Sequence, residues 1–155
     1  MEIEQRLKSV EVMALDMDPA VVVDHAMTVA EVLGKMRDAK SGCALVTRHD
    51  ILTGILTERD VTRQIYGQED ALKQPVSQWM TPDPTSVKHT DPIRRAVRLM
   101  QRGGFRHVPV VDDEGKVAGC VRHKDFISYM GQHYAERVLN LPPEPGKIHS
   151  VREGA

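Results

Sequence analysis

Hydrophobic positions along this chain switch between two spacings, and the order of the switches is used twice. Val29, Val32, Leu33 and Met36 recur at the three- and four-residue interval of a single helix face. Thr28 and Glu31 stand where a capping box needs a hydroxyl and a carboxylate, so a helix is predicted to start there and to fade through Asp38 to Gly42. The unbroken apolar run Cys43-Ala44-Leu45-Val46 then predicts a strand, His49-Asp50 a turn, and Ile51 to Leu56 a second strand. A helix is expected from Glu58 onward, with Val61 and Ile65 on one face. Ahead of all this, Ile3, Leu7 and Val10 lie at helical spacing in a short amphipathic lead-in, followed by Val12-Met13, a loop rich in Asp and Pro, and the β-branched run Val21-Val22-Val23.

The second half repeats the order. Val76, Trp79 and Met80 form a short turn matching Val12-Met13, and Thr85-Ser86-Val87 matches Val21 to Val23. Asp91 is a suitable N-cap and Pro92 a suitable first helical residue, with Ile93, Ala96, Val97 and Met100 turned inward. The strand Val108 to Val111 turns through Asp112-Asp113-Glu114-Gly115 into Lys116 to Val121, and a helix from His123 carries Phe126, Ile127 and Met130. Val29 and Ile93 lie 64 residues apart and Gly54 and Gly119 lie 65 apart, so one residue has been gained, most simply at Gly103-Gly104. Two copies of a β-α-β-β-α unit indicate a paired, pseudo-symmetric arrangement rather than a solenoid, which needs at least three repeats. Residues 8–70 form the first repeat, 71–135 the second, and 136–155 a helix end and an irregular tail rich in Pro after Leu141.

Composition narrows the possible functions. A formal charge of −1, from 21 basic and 22 acidic residues, exerts no global pull on nucleic acid or an anionic membrane. The Arg94, Arg95, Arg98, Arg102 stripe reads as an exposed helix face, since no groove-reading motif or stacking aromatic accompanies it. Cys43 and Cys120 each lie in an apolar strand without a partner at ligand spacing, which suits buried thiols in a reducing cytoplasm. No apolar run approaches a membrane span or a signal peptide. The seven histidines show no compact metal-ligand spacing, and none of the common nucleophile, phosphate-loop or dinucleotide motifs is present, so a catalytic role is not expected.

The chemistry sits at the two strand-to-helix junctions. Gly54-Ile55-Leu56-Thr57-Glu58-Arg59-Asp60 returns as Gly119-Cys120-Val121-Arg122-His123-Lys124-Asp125. Thr57 with an acidic third residue is also a plausible helix cap that needs no ligand, but Arg122 is a poor cap and Asp125 is nevertheless kept. Taken with the Val-Met turn before each repeat and Arg106-His107-Val108-Pro109-Val110-Val111-Asp112, this pattern resembles the cystathionine β-synthase (CBS) domain family, as a stand-alone CBS pair spanning roughly residues 8 to 135.

The resemblance implies an α+β fold in which two repeats pack sheet to sheet about a pseudo-two-fold axis, leaving two related clefts. It implies adenosine ligands in them, AMP, ADP, ATP or S-adenosylmethionine, as regulatory ligands rather than catalytic cofactors. Asp60 and Asp125 would accept from the ribose hydroxyls and Thr57 would donate to the ribose or the first phosphate. Ser41, Gly42, Pro84, Thr85 and Val87 are expected around the Asp60 cleft, and Ala20, Val21, Arg106 and His107 around the Asp125 cleft. Arg122 departs from the family pattern: it either fills its cleft or pairs with a phosphate there. The resemblance further implies a homodimer, for which Phe126, Tyr129, Met130, His133 and Tyr134 are the candidate surface, and a regulated enzyme or transporter as partner. A structural or docking module with vestigial clefts is the alternative, and nucleic-acid binding through the arginine stripe a weaker one.

Overall fold

The computed structural model describes residues 3–139, so the expected tail from Leu141 lies outside the described residues. In chain order the elements are α1 (Ile3–Ser9), β1 (Val22–Asp24), α2 (Val29–Asp38), β2 (Cys43–Arg48), β3 (Ile51–Thr57), α3 (Glu58–Asp60), β4 (Thr81–Pro82), β5 (Val87–Lys88), α4 (Ile93–Gly103), β6 (His107–Val111), β7 (Val117–Arg122) and α5 (His123–Leu139). They form two sheets, ordered β1-β2-β3-β4 and β5-β6-β7. In each, a parallel pair joined through a helix is followed by an antiparallel hairpin. The mixed α+β architecture, with two repeats facing one another through their sheets, is the one the family resemblance implies.

Local chemistry accounts for most element ends. The Thr28 and Glu31 capping box forms with both bonds in place, Glu31 N–H to Thr28 Oγ1 at 3.3 Å and Thr28 N–H to Glu31 Oε2 at 3.0 Å. His49 and Asp50 both take positive φ, 51° and 66°, the conformation that lets a two-residue turn follow the twist of a hairpin. Gly104, at φ 65°, ends α4 in the left-handed conformation as Lys40, at φ 51°, ends α2. Because β6 repeats β2 at the same 64-residue offset while β7 repeats β3 at 65, the extra residue lies in the β6–β7 turn and not at Gly103-Gly104.

Three further expectations need correction. Pro92, with φ −68° and ψ 149°, is the cap of α4 rather than its first helical residue; Asp91 instead turns back to accept the Lys88 amide at 2.7 Å and pairs with Arg95 at 3.5 Å. The helix expected from Glu58 is a single α turn followed by a π-helical turn, Val61–Ile65. Ile127 is 55% exposed and does not join the core, whereas Phe126 and Tyr129 do.

Strand β2 explains why the apolar run at Cys43 does not alternate with polar residues. Ala44 and Val46 face the first core beside Val29, Val32 and Leu56, while Cys43 and Leu45 face the other sheet beside Ile55 and Cys120. Both faces of the strand are buried, and burying a side chain such as Leu45 fully contributes about 1.5–3 kcal/mol. Each main core is also closed by chain from the other half. Ala71, Val76, Trp79 and Met80 complete the first core, and Leu7, Val10, Val12 and Leu15 complete the second. Paired backbone bonds fix the two crossings: Val76 N–H to Met27 O at 2.8 Å with Val29 N–H to Gln74 O at 2.9 Å, and Val12 N–H to Asp91 O at 2.8 Å with Ile93 N–H to Val10 O at 3.0 Å.

Candidate ligand site between the repeats

The first junction is built on a shared carboxylate. Thr57 ends β3 in an extended conformation, and Asp60, three residues on, accepts its backbone N–H at 2.8 Å and its hydroxyl at 2.9 Å, both through Oδ2. In return Thr57 Oγ1 accepts the Asp60 N–H at 3.3 Å. The other oxygen, Oδ1, receives the hydroxyl of Thr81 at 3.3 Å. Thr81 is brought there by β4, whose two residues pair with Gly54 and Ile55 of β3. The pairing is close because Gly54 has no side chain: a Cβ there would lie 2.1 Å from Met80 Sδ.

A cavity of about 450 Å³ opens beside this carboxylate, within the size range of small-molecule sites. Its walls mix three kinds of chemistry. Ile55, Pro84, Pro109 and Phe105 are apolar; Thr57, Thr81 and Thr85 offer hydroxyls; and Asp60, Glu58 and Asp83 face Arg59, Arg106 and His107. Phe105 is 44% exposed, and its ring lies over Gly103, where a Cβ would be 2.1 Å from Cε2. His107 is held below its ordinary titration range, first by burial and then by the nearby Arg122 guanidinium, so near neutral pH it enters the cavity wall uncharged.

The second junction has the same backbone plan and different side chains. Asp125 Oδ2 accepts the Arg122 N–H at 2.8 Å, as Asp60 does for Thr57. Its Oδ1 lies 3.6 Å from Arg122 Nη2, and the carboxylate side chain is only 5% exposed. The same guanidinium nitrogen donates to Asp18 Oδ2, which also accepts from Lys124 Nζ at 3.2 Å. Burial works against the charge on Arg122, but Asp18 and Asp125 together outweigh it and keep the guanidinium protonated.

The family model for the CBS domain matches the chain twice, over residues 11–67 and 76–132. The chain belongs to the CBS domain family. A 17.7 kDa uncharacterized protein of Acidianus ambivalens is 30% identical over 106 residues, 68% of this chain and 63% of its own length. Among solved structures, the CBS domain protein PAE2072 of Pyrobaculum aerophilum, complexed with AMP, is 26% identical with a TM-score of 0.71, covering 82% of this chain and 99% of that one. The cytosolic domain of the Mg2+ channel MgtE, in complex with ATP, is 29% identical with a TM-score of 0.66, covering 81% of this chain and 52% of that one. This chain spans less than two thirds of the length of the curated relatives it matches.

Within this CBS pair the expected site residues separate. Thr57, Asp60, Gly42, Pro84 and Thr85 converge on the cavity. Ser41 does not line it; its hydroxyl donates to Cys43 O at 2.8 Å and shapes the start of β2. Val87 is buried at 2% exposure in the second core, and Ala20 and Val21 pack against the inter-sheet and first cores. Arg106 and His107, expected around the Asp125 cleft, line the Asp60 cavity, while His107 also pairs with Arg122 of the second junction. The physical reason is the register. Cys43 pairs with Thr57 and His107 with Arg122, so both strand starts meet near the pseudo-two-fold axis, and His107 Nε2 lies 3.4 Å from where a Cβ on Gly42 would be.

Besides Ile55, Glu58, Arg59 and Pro109, which lie within the quoted motifs, several contributors were absent from the sequence expectations. Thr81 and Asp83 belong to the short β4 region, Phe105 follows the helix-ending glycine, and Asp18 precedes a Pro in the first loop. Of these only Phe105, one of two phenylalanines and placed directly after Gly103-Gly104, carried a usable signal. Among the described residues no group of three or more metal-ligating side chains occurs, and no helix is long and apolar enough to cross a membrane.

Proposed function

We propose that this CBS pair is a regulatory module that binds an adenosine-containing ligand, AMP, ADP or ATP before S-adenosylmethionine, in the Asp60 cleft, without catalysing a reaction. The observation that carries this reading is the carboxylate Oδ1 of Asp60, met by a hydroxyl from Thr81 at the wall of a cavity that also holds Thr57, an aromatic ring and two arginines. An ionised carboxylate accepts well from a pair of ribose hydroxyls, Phe105 and Pro84 offer flat apolar faces to a base, and Arg59 and Arg106 suit phosphate. The AMP held by the Pyrobaculum protein and the ATP held by the MgtE domain favour adenine nucleotides. A ligand spanning residues from both repeats would favour one relative placement of them, which a partner enzyme or transporter reads. Exposed Ile127 and Tyr134 on α5 support self-association into a dimer, to be checked by light scattering.

Calorimetric titration with AMP and ATP tests the reading. Asp60→Ala is expected to weaken binding about 10- to 150-fold, the equivalent of one hydrogen-bonded charged acceptor at roughly 1.5–3 kcal/mol. Wild-type protein that binds no adenine nucleotide and no S-adenosylmethionine would leave a structural or docking module as the function, with melting indifferent to these ligands.

A further inference from the structure

The two junctions differ by a matched pair of changes, one from each half of the chain. Met80 packs against Gly54 and Met17 packs against Gly119, so the two methionines occupy equivalent places and the residues after them, Thr81 and Asp18, do too. In the first repeat Thr57 and Thr81 both give hydroxyls to Asp60. In the second repeat their counterparts are Arg122 and Asp18, which bond to each other beside Asp125. Oδ1, the carboxylate oxygen that meets the Thr81 hydroxyl at the first cleft, is met by the chain's own guanidinium at the second.

We propose that Asp18 and Arg122 restrict this chain to one adenosine-type ligand, at the Asp60 cleft, by filling the ligand position of the second cleft with internal charges. The inference rests on the function proposed above for the same pair of clefts. Arg122 stands where a ribose hydroxyl would meet Asp125, and the Asp18 carboxylate, held by Arg122 and Lys124, stands where an anionic group of the ligand would meet those cations. A ligand entering there has to part Arg122 from two carboxylates, one of them nearly buried, and leaving a buried charge without its partner is strongly unfavourable. Neither change closes the cleft alone: an arginine without Asp18 is a phosphate ligand, and an aspartate without Arg122 is a surface charge. Their presence together is what distinguishes a filled cleft from a basic one.

The test is calorimetric stoichiometry with AMP on the full chain. Wild type is expected to bind one AMP per chain, weakened about 10- to 150-fold in Asp60→Ala. The double variant Asp18→Thr with Arg122→Thr, which copies Thr81 and Thr57 into the second junction, is expected to bind two. Adding Asp60→Ala to it should weaken one of the two and leave the other. If wild type binds two, or the double variant keeps its Asp60 site and gains none, the proposal is overturned and the nucleotide reading stands. If wild type binds none and the double variant binds one, the Asp60 site falls and the proposal's one-ligand stoichiometry with it, leaving only the filling of the second cleft; no binding in either overturns both. Should the double variant fail to fold, Asp18→Thr alone changes a side chain 66% exposed and releases the guanidinium from one of its two carboxylates. It should gain a second, weaker AMP site, and an unchanged stoichiometry would overturn the proposal.

Discussion

Gly54 and Gly119 are equivalent in the repeat, yet adding a methyl group to each should have opposite consequences. At Gly54 a Cβ would sit 2.1 Å from Met80 Sδ, 2.7 Å from its Cγ and 2.9 Å from its Cε. Three atoms of one side chain are too close, so rotating the terminal methyl does not relieve the clash and Met80 has to leave its place against Val76 and Trp79. Overpacking of this kind costs about 1–3 kcal/mol. The alanine restricts the unfolded chain and returns about 0.4–1 kcal/mol. The net expectation for Gly54→Ala is a loss of about 1–2 kcal/mol. At Gly119 the nearest atom is the flexible methyl of Met17, at 3.1 Å, with Sδ at 3.5 Å. A shift of a few tenths of an ångström suffices, and Gly119→Ala should be neutral or slightly stabilising. Urea unfolding followed by the fluorescence of the single tryptophan, Trp79, measures both, with the Gly54→Ala midpoint lowered by about 0.5–1 M. In a Met80→Ala background the Gly54→Ala cost should disappear, giving a coupling of at least about 1 kcal/mol. Equal midpoints for Gly54→Ala and Gly119→Ala, or a cost that survives the loss of Met80, would refute the reasoning.

His107 titrates below the usual histidine value of 6.5, chiefly through burial, so the unfolded chain takes up its proton more readily than the folded one. Its contribution to stability is therefore intact above that pH and is lost as pH falls below it; His107→Gln should flatten the stability profile below about pH 6.5 in urea unfolding. Cys43 and Cys120 face one another across the sheets with their sulfurs 3.9 Å apart, and the Cys120 thiol is pushed well above its ordinary range by its bond with Cys43 and by burial. Ellman's reagent should leave both thiols nearly unmodified in the native protein and modify both once urea unfolds it.

The repeat was legible because each half writes its elements in local chemistry: a helical stripe, a doubly buried strand, a two-residue turn and a Gly-to-Asp junction. Those signals mark Thr57 and Asp60, which line the cavity. What they do not contain is which cleft a residue faces. Gly42 immediately precedes β2 and His107 opens the equivalent strand β6, and the rule that assigned one to each cleft does not separate them because antiparallel pairing brings both to the axis between the sheets. Strand β4 escaped notice for a related reason. Two residues, one of them a proline, carry no period, and the strand exists only because Gly54 lets Met80 and Thr81 lie close against β3. Asp18 was unreadable as a site residue, since its partner is 104 positions away.

The exchange of core-closing segments between the halves makes a claim about cooperativity that can be measured. Val12 is fully buried in the second core although it precedes the first repeat's strands, and Trp79 packs on the first core although it follows them. Two independent repeats would unfold separately, with Trp79 reporting only the first. Because Val12 is tied to Asp91 and Val76 to Met27 through backbone bonds, loss of either core releases a segment that spans both. Truncating Val12→Ala removes two buried methyl groups and should cost about 1.5–3 kcal/mol. If the halves are one unit, that loss appears undiminished in the tryptophan transition and coincides with the transition seen by circular dichroism. A tryptophan midpoint that stays where it was while the circular dichroism midpoint falls would mean that the crossed segments bind their cores without coupling them.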